Sequence, residues 1–418
     1  MNSNRTPHLL LSTALDGLRV LDLSNRFGHY AGKLLADMGA EVILIEKPLV
    51  GNAIRNKPPF IDDRINGEFG IPHFYFNTNK RSITLDIHSR EGKAIFLDLV
   101  KTADIVLEDD APQSWHQWGL DFESLQVLNP KLIMTSITPF GQTGPYANYA
   151  ADDLTLLALG GLLNIMGFED IEPTQAAGEQ AYAMGCMFAA VGTMLAVLEA
   201  QHSQLGQHVD VSIQESVTMA LENSAQSYDL EKKIRVRSGN SQRYAGSGIF
   251  KCLDGFVYVF AGGMAASRFW NNLVEWFELE GVAGAHELAS PKWQDLKYMH
   301  SEEGKQLFEL IFTSFVNDKT MAYLYEAAQS RRIPLCPVND SPSILSNQQL
   351  MARSFFETVL HEHSGQMITM PGAPYRLSQT PWSLRSPAPS LGQDNSLIFK
   401  ELGLSEQEIL SLNALGVI

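Results

Sequence analysis

The first 140 residues alternate between short apolar strands and amphipathic helices. Leu18 to Glu46 contains a strand, a glycine-containing loop, an amphipathic helix and a second strand. Arg81 to Leu107 repeats this order, and Lys131 to Thr138 adds another short apolar strand. Strands that alternate with helices form one parallel sheet covered by helices on both faces. The sequence therefore predicts a large Rossmann-like α/β domain.

A second type of pattern begins after about residue 225. Ser247 to Phe260 consists of two alternating apolar segments around Asp254-Gly255, which is typical of a β-hairpin. Helices rich in Trp, Phe and Leu follow from Ser267 to about Ala328. Pro381 to Pro389 is typical of an extended linker, and Leu391 to Ile418 predicts a terminal helical segment. We predict a large domain at residues 1–215 with 350–418, a smaller α+β domain at 225–340, and linkers at 216–224 and 341–349.

Composition restricts the partners and the compartment. A formal charge of −16 argues against nucleic acid or an anionic membrane as the main partner. Three widely separated cysteines indicate a reducing, cytoplasmic location. The first 15 residues contain one short apolar run, so no signal peptide is expected. Gln180 to Leu198 is uncharged and long, but it is rich in Ala, Gly and Met, which favours a buried helix over a membrane span.

Seven segments together resemble one protein family. They are LDGLRVLDLS, GAEVILIEKP, FNTNKRSITLDI with a following EGK, NPKLIMTSITPFGQTGPY, the small-residue helix that leads to Gly206-Gln207, YAGSGIFKCLDGFVYV and the ending from APSLGQDN. In this order they are similar to class III CoA-transferases, which include formyl-CoA and carnitine CoA-transferases and the related α-methylacyl-CoA racemases. The resemblance implies an interlocked dimer, with each chain threaded through its partner. It also implies CoA or an acyl-CoA as a substrate held at the Rossmann-like domain.

This chain lacks the family's usual residue at the catalytic position. Its nucleophilic aspartate would stand at Ala181, or at Tyr182 if one gap moves, and neither side chain can form an acyl anhydride. The resemblance implies Asp153 as a base, because the racemases carry their catalytic aspartate there. Glu179 lies two residues from the vacant position and is a candidate to replace the nucleophile. The alternative for Asp152 and Asp153 is that one of them caps the following helix.

A second departure lies in the family's Gln-Ala-Gly-Pro loop, which is Arg26-Phe27-Gly28-His29 here. A fixed cation at Arg26 suits a substrate carboxylate or a developing oxyanion. His29 stands near a predicted helix start, which lowers the pKa of an imidazole and favours a neutral base. The alternatives are an Arg26 paired with a neighbouring Asp and a His29 with no catalytic role.

The expected CoA-binding residues are also altered. The resemblance implies Lys47 near the adenine end of CoA, with the strand end Leu85 to His88, including Ile87, lining the same site. The usual Asn-aromatic-basic sequence is Asp109, Asp110 and Ala111, and a phosphate-pairing Arg is replaced by Gln117. Loss of a charge-assisted contact costs roughly 1.5–3 kcal/mol, so we expect weak or absent CoA binding. Gly246 and Ser247 match the family's glycine-rich loop, whose backbone N–H groups would face an anionic substrate.

Three hypotheses for function remain open from the sequence. The chain is a CoA-transferase acting on a carboxylic acid or its thioester, with non-standard catalysis or a second, intact subunit. Alternatively it is an isomerase in which Asp153 and His29 move protons and Arg26 holds the charge. The third is a non-catalytic partner subunit in a heteromer. No metal is expected, because the pair His361 and His363 has no third ligand at metal spacing.

Overall fold

The structure is a computed structural model that describes residues 13–237, 239, 242–262 and 267–418. The apolar run at residues 9–11, for which no signal peptide was expected, lies outside the described residues. Two compact units are present. The larger comprises residues 1–162, 176–226 and 351–418, and the smaller comprises 163–175 and 227–350. Residues 163–175 thus group with the smaller unit, whereas the predicted boundaries assigned them to the large domain.

The larger unit contains a six-stranded parallel sheet with the order β3-β2-β1-β4-β5-β6. Every residue of β4 and β5 is buried, as expected for strands covered on both faces. The predicted Rossmann-like architecture is confirmed. The strands are β1 Arg19–Asp22, β2 Glu41–Glu46, β3 Arg81–Thr84, β4 Ile105–Glu108, β5 Ile133–Thr138 and β6 His208–Ser212.

The helices of the larger unit connect these strands and cover the sheet. Four of them have side-chain caps that satisfy a backbone N–H of the first turn, such as Ser89 for α3 and Asp121 for α5. The helices are α1 His29–Asp37, α2 Ile71–Phe76, α3 Arg90–Val100, α4 Ser114–Trp118, α5 Phe122–Leu128, α6 Asp153–Leu159, α7 Gln180–Ser203 and α8 Ile213–Thr218. Helix α9, Glu222–Glu231, spans the boundary between the units.

Helix α7 is the single helix, within the described part of the chain, that is long and apolar enough to cross a membrane. It packs against β5, β6 and α1 of the larger unit. Thr193 on its inner face exchanges a 2.7 Å hydrogen bond with Thr135 of β5. Gly206 permits the close return of the chain to the sheet, because a Cβ there would lie 1.8 Å from the Leu132 carbonyl oxygen.

The smaller unit has its own core around a three-stranded antiparallel sheet. The predicted hairpin is confirmed as β7 and β8, and β9 adds to the β8 edge. Aromatic side chains such as Trp276, Phe277 and Phe312 are fully buried beneath it. Its elements are β7 Ser247–Lys251, β8 Phe256–Phe260, α10 Ser267–Leu279, α11 Ala285–Leu288, α12 Leu296–His300, α13 Glu302–Val316, α14 Met321–Ser330, β9 Leu335–Pro337, α15 Ser341–Leu345 and α16 Gln348–Ala352.

The C-terminal part of the chain returns to the larger unit. Residues 381–389, which the sequence predicts as an extended linker, contain no helix or strand and are bonded to that unit: the Asn79 side-chain oxygen accepts the backbone N–H groups of Arg385 and Ser386. The predicted helical ending is confirmed, and its residues Phe399 and Ile418 belong to the core beneath the sheet. The elements are β10 Phe356–His361, β11 Gln366–Pro371, α17 Asn395–Glu401 and α18 Glu406–Ala414.

Candidate functional site

The candidate site lies at the carboxyl ends of β1 and β4. These strands are adjacent in the sheet. The chain continues from β1 to β2 on one side and from β4 to β5 on the other, so a crevice opens between them. Open α/β sheets bind ligands at such a point. The loop at residues 23–28, the start of α7 and the residues after β4 supply the side chains described below.

Asp109 holds the loop that precedes α1. One carboxylate oxygen accepts the Asn25 N–H at 2.9 Å, and the other accepts the N–H groups of Arg26, Phe27 and Gly28 at 2.7, 2.5 and 3.1 Å. Burial raises the pKa of this carboxyl, and the N–H donors oppose that rise. Asp109 therefore does not face a phosphate, and the prediction that it repels CoA is wrong. Both of its carboxylate oxygens already accept backbone N–H groups.

His29 lies directly behind this loop and is 2% exposed. Neither of its ring nitrogens has a hydrogen-bond partner among the described residues. Burial, and then the nearby ammonium group of Lys80, lowers the pKa of the imidazole. The direction is as predicted, but the main cause is burial and not the helix start. A neutral imidazole with an unsatisfied N–H is the result.

A buried ion pair beneath the loop was not anticipated from the sequence. Lys80 Nζ lies 2.7 Å from Asp22 and also donates to Asn77 and to the His29 carbonyl oxygen. Both charged side chains are fully buried. Gly32 permits this arrangement, because a Cβ there would lie 2.2 Å from the Asp22 carboxylate. The one signal in the sequence was a lysine directly before a buried strand.

Asp152 and Asp153 have different roles at the start of α6. Asp152 caps α6 by accepting the Thr155 N–H at 2.9 Å. Asp153 is largely buried, and its Oδ1 accepts the N–H groups of Ala181 and Tyr182 at 2.8 and 3.3 Å. Its Oδ2 is buried and has no partner within the described residues. Burial raises the pKa of Asp153, and the two N–H donors oppose the rise.

The start of α7 brings Asp153, Glu179 and Ala181 together. Ala181 is fully buried, and Glu179, at the N-cap position of α7, forms an ion pair with Lys57. Lys57 was not singled out by sequence reasoning, since it is 122 residues away from its partner along the chain. The carboxylate of Glu179 is about one-third exposed.

A cavity of about 30 Å³ lies between the loop and α7. The side chain of Arg26 is exposed and has no ion-pair or hydrogen-bond partner among the residues that the structure describes. Its guanidinium lies 5.1 Å from the centre of the Phe27 ring, which packs edge-on against Tyr182 at 5.0 Å. The alternative in which Arg26 pairs with a neighbouring Asp is not formed. The residues that line the cavity include Arg26, His29, Tyr30, Glu179, Tyr182 and Cys186.

A second group of predicted residues lies after β2, β3 and β4. The Asp110 carboxylate accepts the Trp115 indole N–H at 3.1 Å. Burial raises the pKa of this carboxyl, and Trp115, His88 and Lys47 oppose the rise. The His88 ring packs on Trp118 at 4.3 Å. Gln117 is exposed on α4. Asp110 is thus the carboxylate that stands beside the predicted CoA residues.

Four residues that were predicted to contact a ligand are engaged within the protein instead. Leu85 and Ile87 have buried side chains that belong to the core beneath the sheet, so they do not line an open site. In the smaller unit, the Gly246 N–H is bonded to the Gln242 side chain at 3.2 Å, and the Ser247 N–H to the Tyr244 carbonyl oxygen at 3.1 Å. The expectation that these N–H groups face an anion is therefore wrong for the described conformation.

The remaining polar groups are structural. His361 bonds to the Glu68 carbonyl oxygen and to Ser364, and His363 bonds to Ser390, each at 2.8 Å. No cluster of three or more His, Cys, Asp or Glu residues suited to a metal is found in the described ranges.

Comparison with known proteins identifies the family. Residues 15–395 match the model of CoA-transferase family III, and the chain belongs to this family. It is similar to the succinyl-CoA:(R)-benzylsuccinate CoA-transferase subunit BbsE of Thauera aromatica, with 37% identity over 96% of this chain and 97% of the relative. It is also similar to a succinyl-CoA–D-citramalate CoA-transferase of Chloroflexus aurantiacus, with 33% identity over the full length of both chains.

Two further similarities extend this result. A succinyl-CoA–L-malate CoA-transferase alpha subunit of Chloroflexus aurantiacus is 30% identical over 97% of this chain and 92% of the relative. A crystal structure of a CaiB/BaiF family protein from Brucella suis matches with a TM-score of 0.81 and 27% identity, over 94% of this chain and all of that chain. The chain is thus an enzyme of the CoA-transferase family, whose reactions use CoA thioesters.

Proposed function

We propose that this chain is the subunit without the nucleophile in a heteromeric CoA-transferase that exchanges CoA between succinyl-CoA and a second dicarboxylic acid. The relatives named above act on (R)-benzylsuccinate, D-citramalate and L-malate, each of which carries two carboxyl groups. Two of these relatives are themselves named as subunits. The observation that carries the proposal is the state of the carboxylates at the start of α7.

The transfer reaction requires a free enzyme carboxylate. Its oxygen attacks the thioester carbonyl of succinyl-CoA, the C–S bond breaks, and a mixed anhydride and CoA thiolate form. The thiolate then attacks the carboxyl carbon of the enzyme, which releases succinate and leaves an enzyme–CoA thioester. The second acid reverses these two steps and leaves with the CoA. Each step needs a carboxylate that can reach the thioester.

In this chain the nearby carboxylates are engaged elsewhere. Ala181 has no functional group, Asp153 is bonded to the first turn of α7, and Glu179 is paired with Lys57. The cavity of about 30 Å³ has room for one small group but not for a succinyl chain. This arrangement supports a second subunit as the source of the nucleophile.

The exposed face of α7 supports association with a second chain. Large apolar side chains with helical spacing are between 44% and 61% exposed on this face, and a contiguous surface of this kind marks an interaction site. They are Met187, Phe188, Val191, Leu195 and Leu198. We propose that a homologous family III chain covers them in an interlocked dimer. This homologue would carry an aspartate at the start of the equivalent helix.

A single observation favours a second candidate, in which Glu179 of this chain is the nucleophile. Glu179 lines the cavity and immediately precedes α7, so release from Lys57 would expose its carboxylate to a thioester. In that case the chain alone would suffice as a homodimer.

The two candidates differ in the activity of the isolated chain. The chain would be tagged, purified with its accompanying subunit, and assayed for CoA transfer from succinyl-CoA to (R)-benzylsuccinate, D-citramalate or L-malate. We expect the complex to be active, the isolated chain to be inactive, and Glu179→Gln to leave the activity of the complex within about twofold. Activity of the isolated chain that Glu179→Gln abolishes would establish the second candidate.

The proposed location is the cytoplasm. The cysteines Cys186, Cys252 and Cys336 are free, and two of them are buried. Unpaired cysteines are typical of a reducing compartment.

A further inference from the structure

We propose that the cavity at Arg26 is a binding site for a carboxylate group of a free dicarboxylic acid, held without covalent chemistry. Succinate is the probe that tests it. The class of acid rests on the proposed function, whereas the presence of an anion site rests on the geometry alone. Arg26 is the residue that determines the specificity for charge.

Three donors without partners meet at this cavity. Arg26 offers its guanidinium, His29 offers a ring N–H, and Tyr182 offers its hydroxyl, and none is hydrogen-bonded to another described side chain. Both ring nitrogens of His29 are buried and have no partner among the described residues. Buried polar groups are normally paired, and orphaned donors indicate a ligand or an ordered water.

The protonation states of the donors suit an anion. Burial raises the pKa of Tyr182 to about 12, so the hydroxyl keeps its proton at neutral pH. Burial lowers the pKa of His29, which leaves a neutral ring with one N–H. A guanidinium presents two parallel N–H groups that match the geometry of a carboxylate. The site therefore combines one permanent positive charge with two neutral donors.

The acidic groups around the cavity do not fill this role themselves. Glu179 is paired with Lys57, and Asp152 is bonded to the N–H and hydroxyl of Thr155. Asp153 has one oxygen without a partner, but no contact of this oxygen with Arg26 is formed. The guanidinium is thus left available for an external anion.

The loop that carries Arg26 is fixed before any ligand binds. Asp109 holds the backbone N–H groups of residues 25–28, and the Arg26 guanidinium packs on the Phe27 ring. A rigid, preorganised site loses little conformational entropy on binding. The cavity volume of about 30 Å³ admits the two oxygens of one carboxylate group. The rest of the acid would extend past the exposed Arg26.

The test is a calorimetric titration of succinate into the chain purified with its accompanying subunit. We expect Arg26→Ala to weaken succinate binding at this site roughly 10- to 100-fold, as for loss of a charge-assisted contact. Arg26→Lys should retain part of the affinity, and Tyr182→Phe should weaken it several-fold. Arg353→Ala is the matched control, since Arg353 is an exposed arginine of the same unit, and it should change nothing.

The number of sites separates this proposal from the proposed function. If an active subunit accompanies this chain, the wild-type complex has two succinate sites, and Arg26→Ala weakens one of them. If the chain proves to be homomeric, the proposed function fails, but Arg26→Ala should still weaken binding by the same factor. Succinamide has the same length without charge and should not compete. Unchanged succinate affinity and stoichiometry in Arg26→Ala would overturn the inference.

Discussion

The loop before α1 and the start of α7 each bind a buried carboxylate. Asp109, which follows β4, accepts the four backbone N–H groups of residues 25–28 through both of its oxygens. At α7, Asp153 accepts two N–H groups through one oxygen and leaves the other without a partner. Helix N-termini attract anions because their first N–H groups are unpaired. The site before α1 is therefore closed, because both Asp109 oxygens have partners, whereas Asp153 at the start of α7 keeps one oxygen without a partner among the described residues.

The largest expected loss of stability concerns the loop before α1. Asp109→Asn replaces one acceptor oxygen with an amide that faces the N–H groups of the loop. We expect a loss of about 3 kcal/mol in the free energy of unfolding, because hydrogen bonds to a buried charge are lost and donors are left unpaired. Urea unfolding would measure this loss. Asp110→Asn, one residue along and with a single indole bond, should cost at most about 1 kcal/mol. Equal losses for the two variants would show that Asp109 does not close the site.

A pH-dependent effect is expected immediately beside Asp109. Burial raises the pKa of Glu108 to about 8, from an ordinary value near 4.5. Between these values the folded chain holds a proton that the unfolded chain has released, so the stability from this group falls as pH rises. We expect Glu108→Gln to gain stability relative to the wild type by up to about 1.4 kcal/mol per pH unit across this window.

The measurement is urea unfolding of both proteins at about pH 5, 6.5 and 8. Glu357→Gln, at an exposed glutamate on β10 of the larger unit, provides the control and should show no such trend. A constant difference between Glu108→Gln and the wild type at all three pH values would contradict the raised pKa.

At α7 we expect a smaller effect on stability than at α1. Asp153→Asn should lower the free energy of unfolding by about 1 kcal/mol, as for the loss of a helix cap, and should leave turnover of the complex nearly unchanged. Thermal midpoint and turnover would be measured on the same samples. A loss of turnover of roughly 10²–10⁴-fold with an unchanged midpoint would instead identify Asp153 as a general base.

A further effect is expected on CoA affinity. Asp110 stands beside Lys47 and His88, where its charge would repel a phosphate group. We expect weak binding of free CoA to this chain, and we expect Asp110→Ala to strengthen it about tenfold by removing one repulsive charge. Calorimetry on the isolated chain would measure this, with the exposed Asp98→Ala as control. Low-micromolar binding by the wild type would show that Asp110 does not block the site.

The sequence predicted the strands and helices more successfully than the hydrogen bonds and ion pairs between distant side chains. The strands around β1, β4 and β5 and the β7–β8 hairpin follow from local apolar periodicity, which a single sequence displays. The role of Asp109 was missed, although adjacent residues at a strand end point to opposite faces, so Asp109 and Asp110 could not share one role. The pairs Lys57–Glu179 and Lys80–Asp22 join residues far apart in sequence, and no local pattern reveals them.

The most direct measurement identifies the chain that forms the covalent intermediate. The complex would be incubated with succinyl-CoA and then treated with borohydride, which reduces an enzyme–CoA thioester to an alcohol. Mass spectrometry of the peptides would locate the reduced carboxyl group. We expect it in the accompanying subunit, on an aspartate at the start of the helix equivalent to α7, and not in this chain. Reduction at Glu179 or Asp153 of this chain would contradict the proposed division of labour.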